Sequence, residues 1–134
     1  MKYTFRELKT SWGIVVTIDV QESTVGKKAG DIQLLENVYC RINTSSLEQP
    51  VITYWFSLAI NDFYNRYPVF TKKEVVCYEI NSLEFSHTDF QEEGLYYAMH
   101  GWLSQNYETV TENTDAYYDK EKNRYIFPKL KDHL

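Results

Sequence analysis

The first things to read in this chain are the features it is missing. No stretch is apolar for the roughly 20 residues that a bilayer crossing takes, so no membrane-spanning helix is expected. The opening Met1-Lys2-Tyr3-Thr4-Phe5-Arg6 has no apolar h-region, so no export signal is expected and the cytoplasm is the expected address. Cysteine is sparse. Cys40 and Cys77 stand far apart and form no CxxC pair, and without an export signal they are expected as buried free thiols rather than a disulfide. The three histidines, His87, His100 and His133, show no HExxH or paired His/Cys spacing, which excludes the usual zinc patterns. A Gly-x-Ser-x-Gly elbow is absent. The glycine- and lysine-bearing segment Gly26 to Gly30 lacks the GxxxxGK[ST] order that would cradle phosphate. The expectation is therefore no catalytic residue, no metal and no cofactor.

Basic residues are missing from a long central stretch. Glu74, Glu79, Glu84, Asp89, Glu92, Glu93, Glu108, Glu112 and Asp115 follow one another with no lysine or arginine between them, and the basic residues resume with Lys120, Lys122, Arg124, Lys129 and Lys131. A field of one sign repels nucleic acid and anionic membrane and speeds encounter with a basic protein. The ordinary alternative is a solvated surface balanced by lysines that fold nearby.

What the chain has in quantity is tyrosine. Aromatic residues make up 16% of 134 residues and twelve of them are tyrosine, too many for every hydroxyl to be paired in a core, so several are expected at the surface. Tyrosine offers a broad apolar face and a hydroxyl at small entropic cost, which suits an interface, although aromatics also suit sheet surfaces. The length fits one domain over residues 1–134, and 43% apolar residues suffice for a core.

Along the chain, Lys2 to Leu8, Gly13 to Val20, Ile32 to Ile42 and Glu74 to Phe85 read as β-strands rich in branched residues. Val51 to Ile60 fits two templates. Ile52, Tyr54, Phe56, Leu58 and Ile60 alternate as in a strand, while Ile52, Trp55, Phe56, Ala59, Ile60 and Phe63 form a helical stripe; the branched Val51-Ile52-Thr53 favours strand. Phe90 to Asn106 reads as a helix with Asp89 as its cap, Leu95, Ala98, Met99, Trp102 and Leu103 as its apolar face, and Gly94, Ala98 and Gly101 as a flat strip for close approach to a sheet. Ala116 to Phe127 reads as a hairpin stopped by Pro128. The expected fold is α+β, an antiparallel sheet packed against one main amphipathic helix, with a C-terminal hairpin.

The junction Glu79-Ile80-Asn81-Ser82-Leu83-Glu84-Phe85, followed by Asp89-Phe90-Gln91-Glu92-Glu93-Gly94-Leu95-Tyr96-Tyr97-Ala98-Met99-His100-Gly101-Trp102-Leu103, resembles small bacterial immunity proteins of polymorphic-toxin and contact-dependent-inhibition systems. The resemblance implies a compact acidic α+β protein that binds and blocks one cognate toxin, often a nuclease. It transfers no functional residues. The partner-binding surface is expected on the start and outer side of the helix, at Asp89, Glu92, Glu93, Tyr96, Tyr97 and His100. Two other readings stay open: an inhibitor of a nucleic-acid enzyme whose acids mimic phosphate, and a small-molecule-binding domain or minor enzyme with an aromatic pocket lined by Trp12, Trp55, Trp102 and tyrosines.

Overall fold

The computed structural model describes residues 1–24 and 28–133. Part of the polar loop expected at 26–30 lies outside the described residues; Gly30 takes a φ of 91°, a left-handed value that glycine adopts without strain. Five strands form the main sheet: β1 (Lys2–Leu8), β2 (Gly13–Ser23), β3 (Ile32–Leu35), β4 (Val38–Ile42) and β5 (Val76–Phe85). Two helices, α1 (Gln49–Arg66) and α2 (Glu93–Asn106), pack on one face, and β6 (Tyr117–Asp119) pairs with β7 (Arg124–Ile126) as a separate antiparallel hairpin.

The sheet order is β1-β2-β5-β4-β3, and β4 runs parallel to β5 while the other neighbours are antiparallel. The sheet is therefore mixed, and the expectation of a purely antiparallel sheet under one helix is corrected on both counts. The two corrections share a cause. A parallel pair cannot be joined by a tight turn; it needs a crossover of a dozen or more residues, usually a helix. Residues 49–66 are that crossover, so Val51 to Ile60 is helix and not strand. Its buried residues, Ile52, Trp55, Phe56, Ala59, Ile60, Phe63 and Tyr64, follow the helical stripe, and Pro50 sits in the first turn, where its missing N–H costs nothing. Ile32 to Ile42 is likewise two strands, turned at Glu36-Asn37 with Asn37 at a φ of 63°.

Alternation gives the sheet its two faces. Ile14, Val16, Ile18 and Val20 on β2 turn to the helices, with Phe5, Leu83, Ile80, Tyr78, Val38 and Cys40 on the same side. The register pairs Cys40 with Tyr78 and Tyr39 with Cys77, so the two thiols are free, buried and on opposite faces. Over Cys77 the carboxylate of Asp31 takes a two-pronged contact from Arg41 at 2.8 Å, and Arg41 also bridges to Glu79. No helix among the described residues is long and apolar enough to cross a membrane.

The tyrosines lie deeper than composition suggests: only Tyr54 and Tyr117 are exposed. Many hydroxyls pair with one another or with the backbone. Tyr64 meets Tyr78 at 2.7 Å, Tyr78 meets Tyr107 at 3.0 Å, and Tyr107 donates to Glu22. The Tyr125 hydroxyl accepts from the Lys9 N–H and donates to the Trp12 carbonyl, tying the hairpin to the β1–β2 turn.

Candidate partner-binding surface

Helix α2 carries most of the residues singled out in the sequence, and it is packed into the body of the fold. It lies on β1 and β2, with α1 alongside and the C-terminal segment across it. Every residue from Glu93 to Ser104 is buried. The glycine strip works as expected: a Cβ at Gly94 would stand 2.9 Å from Ile14 Cγ2, and one at Gly101 would stand 2.2 Å from the Tyr3 ring. What the periodicity placed outward is covered by other parts of the chain. Glu93, Tyr96, Tyr97 and His100 are 3%, 7%, 6% and 5% exposed, so the expectation that they lie on an exposed helix side is corrected. Asp89 does not cap α2. It ends a single 3-10 turn, His87–Asp89, and the helix starts four residues later after Glu92.

Each buried polar residue has a local reason to be where it is. Glu93 Oε2 accepts from Arg124 Nη2 at 2.7 Å, which pins the hairpin to the start of α2. The Tyr96 hydroxyl donates to Asp62 at 2.6 Å, joining the two helices; burial first, then that bond, raises its pKa. His100 packs edge-on against Phe63 and stacks on Tyr96. Its pKa is lowered, chiefly by desolvation, which the carboxylates of Glu112 and Asp62 oppose and Arg66 reinforces. The Tyr97 hydroxyl is buried with no hydrogen-bond partner.

Tyr97 and His100 line a cavity of about 370 Å³ together with Tyr3 to Glu7 of β1, Gly101, and residues 111–114. At its rim Glu7 accepts from Thr114 Oγ1 and lies 3.8 Å from Lys9, while Glu112 pairs with Arg66 at 2.6 Å. The remaining candidates, Asp89 and Glu92, sit at the other end of α2. There Glu92 is exposed and accepts from the Trp55 indole N–H at 3.0 Å. Trp55, Phe90, Gln91, Glu92, Glu93, Lys122 and Arg124 line an open hollow, and Tyr54, 46% exposed, stands edge-on to Trp55 beside it. Phe90 packs on Phe85, which in turn meets the exposed His87.

The acidic run is partly neutralised by folding. Glu79 meets Arg41, Glu93 meets Arg124, Glu112 meets Arg66 and Asp115 meets Lys129. Glu74, Glu84, Asp89, Glu92 and Glu108 have no ion pair among the described residues; Asp89 and Glu92 lie between the end of β5 and the start of α2, while Glu84, opposite Thr17, is on the sheet face away from the helices. The sequence does not place Tyr54 and Trp55 here, because strand is favoured over helix for 51–60, nor Phe90, which is expected inside the helix and lies three residues before it. The three tryptophans that the alternative pocket reading groups together are apart: Trp102 is in the core donating to the Met1 carbonyl, Trp12 packs between Tyr118 and Tyr125, and Trp55 is at the hollow. Among the described residues no group of three or more His, Cys, Asp or Glu side chains is placed to hold a metal.

No protein-family model, no curated protein and no solved structure matches this chain.

Proposed function

We propose that the chain is a non-catalytic inhibitor, an immunity protein that binds a basic bacterial toxin in the cytoplasm and covers its active site or substrate groove. The observation that carries this reading is the surface at the start of α2. Unpaired acids (Asp89, Glu92) stand beside exposed or half-exposed aromatics (Tyr54, Phe90) and an arginine, Arg124. Protein interfaces draw their anchors from aromatic residues and arginine, and unpaired acids steer a basic partner toward them. The amphipathic rings give contact area, the acids give encounter rate, and neither task needs a nucleophile or a metal.

Growth rescue tests the proposal. Expression of the protein encoded immediately upstream, a neighbouring toxin on this reading, should arrest growth, and co-expression of this chain should restore it. The double variant Asp89→Lys, Glu92→Lys should lose protection while keeping its fold, because both side chains reach solvent and lack an ion pair. Alanine at His87 should protect as well as the wild type. Full protection by the double-lysine variant would overturn the assignment of this surface.

A further inference from the structure

We propose that the free edge of β1 at Thr4–Arg6 binds an extended segment of the partner protein by strand addition, and that the cavity beside it takes one amide- or hydroxyl-bearing side chain of that segment. The inference deepens the inhibitor reading by adding a second contact of defined chemistry, and its test does not need the toxin.

The register shows which backbone groups are free. Met1 gives its N–H to the Val20 carbonyl at 2.9 Å and accepts the Val20 N–H at 3.0 Å, so Met1 and Val20 exchange both bonds. Hydrogen-bonded pairs alternate along an antiparallel ladder. Tyr3 with Ile18, Phe5 with Val16 and Glu7 with Ile14 are then the bonded pairs, and Thr4 and Arg6 turn their N–H and C=O away from β2. The close approach of Thr4 Oγ1 to Thr17 Oγ1, 2.8 Å, is what a non-bonded pair produces. At Lys2, next in the same outward series, the carbonyl already accepts from Gln105 Nε2 at 3.5 Å. At Thr4 and Arg6 no backbone or side-chain group among the described residues takes that role. β1 is an outer strand of the sheet, seven residues long and in unbroken register from Lys2 to Leu8. Such an edge is a template for another strand unless it is covered or bulged.

The cavity of about 370 Å³ runs beside this edge, with all of Tyr3 to Glu7 in its wall and residues 111–114 among its other walls. A strand added to β1 places its residue opposite Phe5 on the same sheet face as Phe5, toward α2. There it meets the Tyr97 hydroxyl, more than nine-tenths buried and without a hydrogen-bond partner, and beside it the His100 imidazole, as deeply buried. Burial keeps the phenol protonated and the imidazole uncharged, so the pair offers donors and one ring-nitrogen acceptor. A neutral amide or hydroxyl matches that set, and a charged side chain does not, because the rim carboxylates and cations already pair with one another.

The test uses a phage-displayed library of linear eight-residue peptides selected on the full chain, followed by synthesis of the enriched peptides. Selected peptides should slow amide exchange at Thr4 and Arg6. They should bind Arg6→Ala as they bind the wild type, and lose about tenfold in affinity on Arg6→Pro, which removes one outward N–H. If Arg6→Pro fails to fold, N-methylation of the peptide amide facing the edge provides the same comparison on the wild-type protein. Tyr97→Phe should abolish the preference for an amide or hydroxyl side chain at one alternate peptide position. The proposal is overturned by a selection that yields no binder, by binders that perturb only the Tyr54–Arg124 hollow, or by Thr4 and Arg6 amides protected in the free chain as a dimer, since a second copy would then own the edge. None of these results touches growth rescue, so failure here is distinct from failure of the inhibitor reading.

Discussion

His100 is a base that folding holds away from water, and this gives stability a pH dependence of known sign. Its folded pKa lies below the ordinary value of 6.5, with desolvation as the leading cause. The unfolded chain therefore takes up a proton first as pH falls, and the stability that the neutral ring contributes is present above about pH 6.5 and lost below it. Urea midpoints measured from pH 7.5 to 5 should fall for the wild type, and should fall less for His100→Gln. The two thiols give a second check. Burial pushes Cys40 up to about 12 and Cys77 up to about 11, so neither is nucleophilic at neutral pH. A thiol-reactive chromophore should label neither in the native protein and both in denaturant; fast native labelling would mean that the cover over Cys77 at Asp31 and Arg41 is wrong. Tyr97→Phe removes an unsatisfied buried hydroxyl and should leave stability unchanged or raise it by up to about 1 kcal/mol, read as a small rise in Tm.

At the scale of elements, α2 is the centre of the fold. Trp102, 1% exposed and stacked edge-on against Tyr78, should cost about 3–5 kcal/mol on replacement by alanine, measured by denaturant unfolding. Glu93→Lys should also destabilise strongly, by about 3 kcal/mol or more, because it sets two cations against each other in a buried place. This is why Glu93, unlike Glu92, is unsuitable for probing a binding surface. The apolar stripe of α2, the glycine strip, the C-terminal hairpin, β1 and most of β2 could all be read in the sequence, because each depends on local period or turn chemistry. The enclosure of Tyr96, Tyr97 and His100 depends on Asp62, Phe63 and Phe127, which reach them from distant parts of the chain. A signal was present nonetheless. Glu93 is the one charged residue between Glu93 and Asn106, and a helix with so little charge around its circumference is a buried one. For Val51 to Ile60 both periods fit the same residues. The parallel pairing that decided for helix is a property of the whole sheet.

Over the whole molecule, folding brings Arg41 and Arg66 from before the acidic run, and Arg124 and Lys129 from after it, against its carboxylates. Five acids of the run are left to steer a partner, Glu74, Glu84, Asp89, Glu92 and Glu108, and of these Asp89 and Glu92 stand at the start of α2. Association with a basic toxin should slow as salt is raised, because steering acts over a Debye length of about 8 Å at physiological ionic strength, while dissociation changes little. An association rate indifferent to salt in stopped-flow mixing would count against steering by these acids. An inhibitor of the proposed kind acts by occupying its target and has no turnover. Residual activity of the purified toxin, titrated with this protein, measures that directly. Occlusion predicts a straight fall that ends at one equivalent and full recovery of toxin activity when the complex is separated in denaturant and the toxin refolded. Complete and permanent inactivation by a few hundredths of an equivalent would contradict it.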